Sequence, residues 1–318
     1  MTGAGTPRLD GRTSVVVVNY NTTAATARLV ALLEGSLAYV LVVDNASPDG
    51  SFDRFAASQG RVDTLALDTN VGYGAAANRA AERLGGDVMI LCNPDLVVDE
   101  AALALLAAAA RTEGVAVAAP RFLFPDGSLQ RSAHRRYPGL VTTAVDLSPA
   151  VATVARRLAP SWHPTLYPAD DHARPLDAHH VLGATMAIDL DAFRAVGGFD
   201  ETFFLYREET DLCARMRHGG WRIVHVPAAT VVHEGAGSTP DGVTTQVRTA
   251  HLESHYRFIA KHRGRATAAV ARLVGLLASA SWLLTGPNRR DARVALRWHL
   301  GGGSRAVATL PTRGAARS

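Results

Sequence analysis

The first third of the chain alternates short apolar runs with polar turns and helix-like segments, and this alternation limits the possible folds more than any other feature. Runs rich in β-branched residues predict buried strands at residues 14–19, 39–44, 62–67, 88–92 and 115–119. Strands that alternate with short helices form βαβ units with right-handed crossovers and a mostly parallel sheet. We therefore predict an α/β fold in which helices flank a twisted, mostly parallel sheet.

Polar residues follow three of these predicted strands. Asp44 ends the second strand, the polar loop at residues 70–74 follows the third, and Asp95 follows the fourth. Because the carboxyl ends of parallel strands meet at one edge of a sheet, where open α/β folds bind their ligands, we expect these groups to form one site. A carboxylate such as Asp95 can hold a hard cation that takes its other ligands from water and phosphate. The alternative for Asp95 is an ordinary strand-ending turn, because Asn-Pro-Asp is also good turn chemistry.

The composition excludes several classes of protein. The chain has 318 residues, of which 47% are hydrophobic and 19% are charged, so it is neither disordered nor an ordinary multi-span membrane protein. Cys92 and Cys213 lie far apart and show no metal-binding or disulfide spacing, which favours a reducing compartment. Residues 1–10 lack the apolar core of a signal peptide. We therefore expect a cytoplasmic protein.

The C-terminal part differs in character from the rest. Residues 266–284 predict a mostly apolar helix, but Arg272 leaves an uninterrupted run of only residues 273–284, whereas a span needs roughly twenty residues. We predict a helix that lies on a membrane surface or packs on the domain. From residue 285 onward, seven arginines accompany one acid, which favours anionic lipid as a partner, with a solvated terminus as the alternative. Nucleic acid is not an expected partner.

The middle of the chain is less regular. Residues 131–177 are rich in Pro, His and Arg, and we predict an irregular insertion. Residues 221–226 and 230–233 predict two short strands, and Asp191 is expected to cap a helical turn. We divide the chain into a main domain (residues 12–240), C-terminal helices (241–286) and an Arg-rich tail (287–318).

Five motifs in order resemble glycosyltransferase family 2, whose members bind nucleotide sugars on a GT-A fold. The most similar subgroup is the rhamnosyltransferase-like enzymes of bacterial cell-envelope polysaccharide assembly, and the resemblance covers residues 14–264. The motifs are Asp44-Asn45-Ala46-Ser47 with Asp49-Gly50, Asn70-x-Gly72-x-Gly74 with Asn78, Asn93-Pro94-Asp95, Gly197-Gly198-Phe199-Asp200-Glu201, and Glu208-Glu209-Thr210-Asp211-Leu212.

The resemblance implies a divalent cation, Mg²⁺ or Mn²⁺, held by Asp95. Asn93 departs from the two-carboxylate form of the family's metal motif and is expected to contact the nucleotide sugar. His233 resembles the family's late metal-binding histidine, and its imidazole suits Mn²⁺ better than Mg²⁺. The alternative for His233 is a strand-end histidine that is hydrogen-bonded to backbone.

The resemblance also places the nucleotide-sugar donor. Asp44 corresponds to the carboxylate that binds the nucleoside, with an Asx-turn as the alternative, and Asn45 is a weaker contact beside it. The glycines of the second motif allow close backbone approach to a ligand. The other residues expected to line the donor site are Asn19, Asn70, Gly72, Gly74, Asn78 and Asn93.

Direct displacement at a sugar carbon requires a carboxylate that can accept the proton of the attacking hydroxyl. Alignment of the last motif puts Glu209 at the position of the family's Asp base, with Glu208 as the competing candidate. Asp211 is placed on the acceptor side or, alternatively, in a structural contact with Arg215 at i+4. The other residues expected on the acceptor side are Asp200 and Glu201.

These expectations combine into a metal-dependent inverting glycosyltransferase peripheral to the inner face of the cytoplasmic membrane. The expected donor is dTDP-L-rhamnose, and the expected acceptor is a lipid-linked saccharide. One alternative is a sugar-nucleotide nucleotidyltransferase, but residues 19–23 lack the glycine-rich, basic loop it would carry. The other alternative is a catalytically silent protein that binds a nucleotide sugar or acts as a scaffold, because Asn93 and Glu209 depart from the family pattern.

Overall fold

The computed structural model contains one large mixed sheet, a small second sheet and ten helices within the residues that it describes. These are residues 6–33, 35–48, 50, 52–53, 55, 62–131, 134–158, 172–234, 245–285 and 289–301. The strands are β1 (Thr13–Asn19), β2 (Tyr39–Asp44), β3 (Asp63–Ala66), β4 (Val88–Cys92), β5 (Leu96–Val97), β6 (Val115–Leu123), β7 (His134–Arg135), β8 (Leu176–Asp177), β9 (His180–Val181), β10 (Thr185–Asp189) and β11 (Arg222–His233). The helices are α1 (Thr23–Leu32), α2 (Tyr73–Ala81), α3 (Glu100–Ala110), α4 (Leu140–Leu147), α5 (Pro149–Leu158), α6 (Leu190–Ala195), α7 (Glu208–His218), α8 (Thr245–Arg263), α9 (Arg265–Thr285) and α10 (Arg289–Gly301).

The main sheet has the order β3-β2-β1-β4-β10-β6-β11-β5, and β8 pairs with β11. The first four strands are parallel, β10 runs antiparallel to β4 and β6, and β11 is parallel to β6. Since β5 and β8 oppose β11, six strands of the sheet share one direction and three oppose it. The predicted α/β fold with a mostly parallel sheet is confirmed.

The sheet is covered on both faces, because the central strands β1 and β4 are buried at every position. In β1, Val15 and Val17 join one buried cluster with Leu103 of α3. Val16 joins a second cluster with Leu212 of α7. Successive strand residues point to opposite faces, so this run can be buried only between two layers of helices.

Three local predictions are corrected by the structure. Residues 221–226 and 230–233 belong to one strand, β11, whose register against β6 shifts between Val226 and Thr230, where Pro227 has no N–H for the ladder. The cap of α6 is Asp189 rather than Asp191, and its carboxylate accepts a hydrogen bond from Ala192 N at 2.7 Å. The insertion predicted to be irregular contains α4 and α5, while its residues 159–171 lie outside the described residues.

The C-terminal helices pack on one another and on α4. A buried cluster joins Leu147 of α4 to Tyr256 of α8, Ala271 of α9 and Trp298 of α10. Residues Arg265–Leu284 are long and apolar enough to cross a membrane by length and composition alone, and 28% of that window is buried. The helix therefore has one face packed against the protein and one face that the described residues leave open.

Candidate active site

Asp95 and His233 are brought together by strand pairing. β5 follows Asp95 directly and pairs antiparallel with the end of β11, so that Leu96 lies opposite His233. Glu234 N donates a hydrogen bond to the Asp95 carbonyl at 3.1 Å. As a result, His233 Nε2 lies 3.5 Å from Asp95 Oδ1.

Gln130 orients the His233 ring. The Gln130 Oε1 atom lies 3.1 Å from His233 Nδ1, and both side chains are buried. An amide oxygen can only accept, so this contact places the proton on Nδ1 and directs the lone pair of Nε2 towards Asp95. His233 is thus held by a side chain and not by the backbone contact considered as the alternative.

The Asp95–His233 pair has the properties of a divalent cation site. Both carboxylate oxygens of Asp95 are buried without a hydrogen-bond partner among the described residues, an arrangement that is costly unless something positive binds there. One carboxylate and one neutral imidazole suit Mn²⁺. In the described parts of the chain no group of three His, Cys, Asp or Glu side chains is arranged to hold a metal ion. The remaining ligands would come from water and substrate phosphate.

Asp44 lies at the end of β2 beside Asn19, its register partner in β1. The Asp44 carboxylate accepts hydrogen bonds from Asn19 Nδ2 at 2.7 Å and from Ser47 Oγ and N at 2.5 and 2.9 Å. The turn considered as the alternative is therefore present. The carboxylate is 5% exposed, and its predicted contact with a nucleoside remains a prediction.

The loop at residues 70–74 is fixed to its neighbours by amides and by one close backbone approach. Asn45 Nδ2 donates to Asn70 Oδ1 at 2.9 Å, and Asn70 Oδ1 accepts from Gly72 N at 3.0 Å. Gly72 has φ +91°, and a Cβ at this position would collide with the Phe204 carbonyl oxygen. Only glycine fits this position, which links the loop to the segment before α7.

Glu208 and Glu209 form the first turn of α7 after two strained residues. Tyr206 and Arg207 have φ values of 67° and 69°, a left-handed conformation that costs free energy for non-glycine residues and is often found at functional sites. Burial, and then the neighbouring Glu209 carboxylate, raise the pKa of Glu208 well above its usual value. Burial also raises the pKa of Glu209, while the positive charge of Arg207 opposes that rise.

Tyr73 links the base candidates to the predicted metal site. Its hydroxyl donates to the Gly183 carbonyl at 3.2 Å. Burial, and then the nearby thiol of Cys92 and the carboxylates of Glu208, Glu209 and Asp95, raise the pKa of Tyr73. Tyr73 therefore lies within electrostatic range of all three carboxylates, and the single site that the sequence predicts for them remains a prediction.

The backbone of residues 183–184 lies next to both the base candidate Glu209 and the Asn93-Pro94-Asp95 turn. A Cβ added at Gly183 would lie 3.4 Å from the Glu209 Cβ. The adjacent Ala184 carbonyl accepts from Asn93 N at 2.7 Å. Asn93 and Glu209 thus lie on either side of this short segment.

Two of the residues predicted on the acceptor side, Asp200 and Asp211, form ion pairs. Asp211 has no exposed side-chain surface and binds Arg215 at 2.7 Å, Lys261 at 2.7 Å and His262 at 2.8 Å. Lys261 also binds Asp200 at 2.6 Å. The structural alternative for Asp211, a contact with Arg215, is present, and the acceptor-side roles of Asp200 and Asp211 remain predictions.

Asn78 and Glu201 are likewise engaged with each other. Asn78 Nδ2 donates to the Phe199 carbonyl and to Glu201 Oε1, each at 3.0 Å, and Asn78 Oδ1 accepts from Phe199 N at 2.9 Å. Arg79 binds the same Glu201 at 2.9 Å. Asn78 thereby positions the segment after Gly198, and its predicted contact with the nucleotide sugar remains a prediction.

The sequence analysis missed Gln130, Tyr73 and Lys261. Gln130 stands in a part of the chain without a motif, and only the fold brings it to His233. Tyr73 stands inside the motif at residues 70–74, so its position in the sequence could have identified it as a site residue. Lys261 is the only lysine of the chain, but its two partners are 50 and 61 residues away in sequence.

A mostly parallel sheet flanked by helices, with carboxylates at its carboxyl edge, fits the family that the sequence motifs resemble, and comparison with known proteins agrees. The model of glycosyl transferase family 2 matches residues 14–197. The chain belongs to this family and is a glycosyltransferase of the GT-A fold. This membership decides against the nucleotidyltransferase alternative.

Similar proteins include a curated relative from Mycobacterium tuberculosis, N-acetylglucosaminyl-diphospho-decaprenol L-rhamnosyltransferase. It is 33% identical over 80% of this chain and 85% of its own length. A low-salt glycan biosynthesis hexosyltransferase from Haloferax volcanii is 24% identical over 69% of this chain and 66% of its own length.

Two solved structures share the fold. GalNAc-T7 with UDP, GalNAc and Mn²⁺ has a TM-score of 0.56 at 16% identity and covers 91% of this chain and 56% of its own. A mannosyltransferase from Pyrobaculum calidifontis, in complex with GDP-Man and Mn²⁺, has a TM-score of 0.53 at 16% identity and covers 94% and 82%. At this identity the likeness concerns the fold alone.

Proposed function

We propose that this glycosyltransferase moves L-rhamnose from dTDP-L-rhamnose to a lipid-linked diphosphate saccharide, with inversion at the anomeric carbon. The Mycobacterium tuberculosis relative supports this assignment, because its name gives the sugar as L-rhamnose and the acceptor as N-acetylglucosaminyl-diphospho-decaprenol. The observation that carries the proposal is that Glu209 and Asp95 both act on Tyr73, while His233 lies 3.5 Å from Asp95 and Glu209 lies beside Gly183.

Glu209 is the proposed base. Burial, and then the Glu209 charge, raise the pKa of Glu208 well above its usual value, so Glu208 is the member of the pair that holds a proton more strongly. Arg207 stabilises the charged form of Glu209, and Thr210 Oγ1 donates to its Oε1 at 3.1 Å. In its charged form, a buried carboxylate can accept the proton of a sugar hydroxyl.

The proposed reaction is a single displacement. The acceptor hydroxyl gives its proton to Glu209 while its oxygen bonds to the anomeric carbon, and the bond from that carbon to the dTDP oxygen breaks. Because the described site offers one base and no second nucleophile on the opposite side, the product has the inverted configuration. Asp95 and His233 would hold the divalent cation, which supplies positive charge to the departing diphosphate.

The C-terminal helices are proposed to hold the enzyme on the inner face of the cytoplasmic membrane. Acidic residues are absent from α5 and α9, and the one acid of α10, Asp291, is paired with Arg248 at 2.6 Å. Such a surface attracts anionic lipid while its apolar side chains insert. Its exposed apolar residues are Val151, Val154 and Leu158 on α5, Val270, Leu273, Leu277 and Leu284 on α9, and Leu300 on α10.

A donor panel tests the assignment. The full chain is incubated with a short-chain N-acetylglucosaminyl-diphospho-prenol, Mn²⁺ and one of dTDP-L-rhamnose, UDP-GlcNAc or GDP-mannose. We expect transfer from dTDP-L-rhamnose, and NMR of the product should show the anomeric configuration opposite to that of the donor. Transfer from another donor, or retention of configuration, would contradict the assignment.

A further inference from the structure

Three arginines lie near one pair of stacked rings, close to the residues at which α4 begins. The rings are Tyr137 and His179, whose centroids lie 5.1 Å apart with an interplanar angle of 12°. We call Arg136, Arg217 and Arg263 the arginine cluster. Arg136 precedes Tyr137 in the sequence, whereas Arg217 and Arg263 each contact a residue next to one of the two rings.

The contacts of two members, Arg217 and Arg263, fix their positions without neutralising their charges. Arg217 donates to the Ala178 carbonyl at 3.1 Å, beside His179. Arg263 donates to the Pro138 carbonyl at 2.9 Å, beside Tyr137. These partners are uncharged, and neither arginine forms an ion pair with a carboxylate of the described residues.

Arg136 reaches the same place through strand pairing. In the small sheet, Arg135 lies opposite His180, and Arg136 and His179 are the next residues along the two chains. Burial, followed by the charges of Arg217, Arg136 and Arg263, lowers the pKa of His179. The charges of all three guanidinium groups thus act on the ring of His179.

The cluster lies between the proposed base and the apolar helices. The chain at residues 178–183 runs antiparallel along α7, with Gly183 beside Glu209 and Ala178 beside Arg217. Glu209 and Arg217 are separated by eight residues of helix, which is about 12 Å at 1.5 Å per residue. On the other side, Arg263 lies against Gly139, the N-cap of α4, whose first residues Leu140 and Val141 are exposed.

We propose that the arginine cluster binds the diphosphate of the lipid-linked acceptor. This inference rests on the proposed function. It assigns a binding site to the acceptor diphosphate, the second anionic group of the reaction besides the donor diphosphate. With the sugar hydroxyl at Glu209, a diphosphate on the far side of the sugar lies roughly one helix turn or two away, within reach of the cluster. Guanidinium groups bind phosphate through paired hydrogen bonds, and the lipid chain then continues towards α4.

A binding measurement tests the cluster independently of catalysis. Farnesyl diphosphate is titrated by calorimetry into the full chain and into the variants Arg217→Gln and Arg263→Gln. We expect each variant to bind it about tenfold more weakly, while farnesol binds the parent far more weakly than farnesyl diphosphate does. Arg222→Gln is the matched control, because Arg222 is an exposed arginine paired with Asp177 at 2.9 Å.

Two further arms identify the source of any phosphate binding. Asp95→Ala should leave the affinity for farnesyl diphosphate unchanged; if this variant loses binding and the arginine variants keep it, the probe occupies the nucleotide-sugar site and the inference fails. Sedimentation with phosphatidylglycerol vesicles should be the same for Arg217→Gln and the parent. If Arg217→Gln sedimented less with these vesicles than the parent does, the cluster would bind lipid headgroups in general, and this would also overturn the inference.

Folding effects are separated by a conservative variant. Arg217→Lys keeps the charge and should recover part of the affinity lost in Arg217→Gln, at an unchanged melting temperature. Equal affinities in the parent, Arg217→Gln and Arg263→Gln would refute the inference even if rhamnose transfer is found. Conversely, arginine-dependent binding in a protein that transfers no rhamnose would support the cluster and contradict the proposed function.

Discussion

At the scale of single residues, the candidate site depends on side chains that no motif contains. Asp95 and His233 were expected from the sequence as metal ligands, but the ring of His233 could point elsewhere without Gln130. The contact of Gln130 Oε1 with His233 Nδ1 at 3.1 Å selects one tautomer and one orientation. Mutation of a residue that orients a metal ligand in this way typically lowers metal affinity by about 10- to 100-fold.

We predict that Gln130→Leu raises the Mn²⁺ concentration needed for half-maximal transfer by about 10- to 100-fold. The rate at saturating Mn²⁺ should return close to that of the parent, because Asp95 and His233 are still present. The measurement is a Mn²⁺ titration of transfer activity. Gln246→Leu, the same change on α8, is the control, and an unchanged Mn²⁺ requirement in Gln130→Leu would contradict the assigned role.

At the scale of secondary-structure elements, the loop before α2 and the segment before α7 are joined through backbone atoms. Tyr73 N donates to the Phe204 carbonyl at 3.3 Å, and Gly72 allows that approach. This contact sets the position of the donor-side loop relative to the turn of α7 that carries Glu209.

We predict that Gly72→Ala destabilises the protein by about 2 kcal/mol or more, because it adds both φ strain and a collision with Phe204. Gly114→Ala is the control for strain alone, since Gly114 has φ +75° and no atom lies within 4 Å of an added Cβ. Chemical denaturation measures the free energy of unfolding. Equal losses in the two variants would show that the approach to Phe204 does not constrain the site.

Lys261 joins α8 to α7 and to the segment after Gly198 through Asp211 and Asp200. Burial raises the pKa of Asp200, but hydrogen bonds from Lys261 and Thr202 outweigh it and lower the pKa to about 2. Hydrogen bonds from His262, Lys261 and Arg215 similarly outweigh burial and lower the pKa of Asp211. A carboxyl whose pKa is lowered on folding contributes stability above its unfolded pKa of 3.8 and loses it as the pH falls.

We therefore predict that the parent loses stability as the pH falls from about 4 towards the folded pKa values, and that Lys261→Met makes this loss smaller. At neutral pH the variant should be the less stable protein, because Asp211 keeps only Arg215 and His262. Melting temperatures measured across this pH range provide the test. Arg257→Met is the control, because Arg257 forms a partly exposed pair with Glu253 on the same helix, and identical pH profiles for all three proteins would refute the prediction.

How far the sequence predicts each element depends on whether its partners are local. β1 and β4 were predictable because a continuous apolar run has one stable environment, a sheet covered on both faces. The two helices of the insertion were not, because Leu147 becomes buried only through α8, α9 and α10, which lie more than a hundred residues away in sequence. The same holds for Gln130, whose role depends on the register of β5 with β11.

At the scale of the whole molecule, the candidate active site and the exposed apolar residues lie on different elements, the first at the carboxyl edge of the sheet and the second on α5, α9 and α10. The helix α9 buries small residues such as Ala271 against the protein and leaves larger ones such as Leu277 exposed. This distribution is the reverse of what water alone would favour, and exposed apolar rows of this kind mark contact surfaces.

We predict that the double variant Leu273→Ser and Leu277→Ser, made in the full chain, sediments less with vesicles that contain phosphatidylglycerol. Both leucines are more than half exposed, so the loss should come from the contact with lipid and not from unfolding. Leu37→Ser is the control, because Leu37 is 73% exposed but lies before β2, outside this surface. Unchanged sedimentation of the double variant would refute the proposed membrane contact.

The account as a whole depends on Glu209 acting as a base beside the Asp95 site. The most direct measurement is rhamnose transfer from dTDP-L-rhamnose to a short-chain N-acetylglucosaminyl-diphospho-prenol by the parent, Glu209→Gln and Glu208→Gln. We predict an active parent, a loss of at least about a hundredfold in Glu209→Gln with unchanged donor affinity, and a much smaller loss in Glu208→Gln. A parent that transfers nothing, or a Glu209→Gln variant as fast as the parent, would contradict the account.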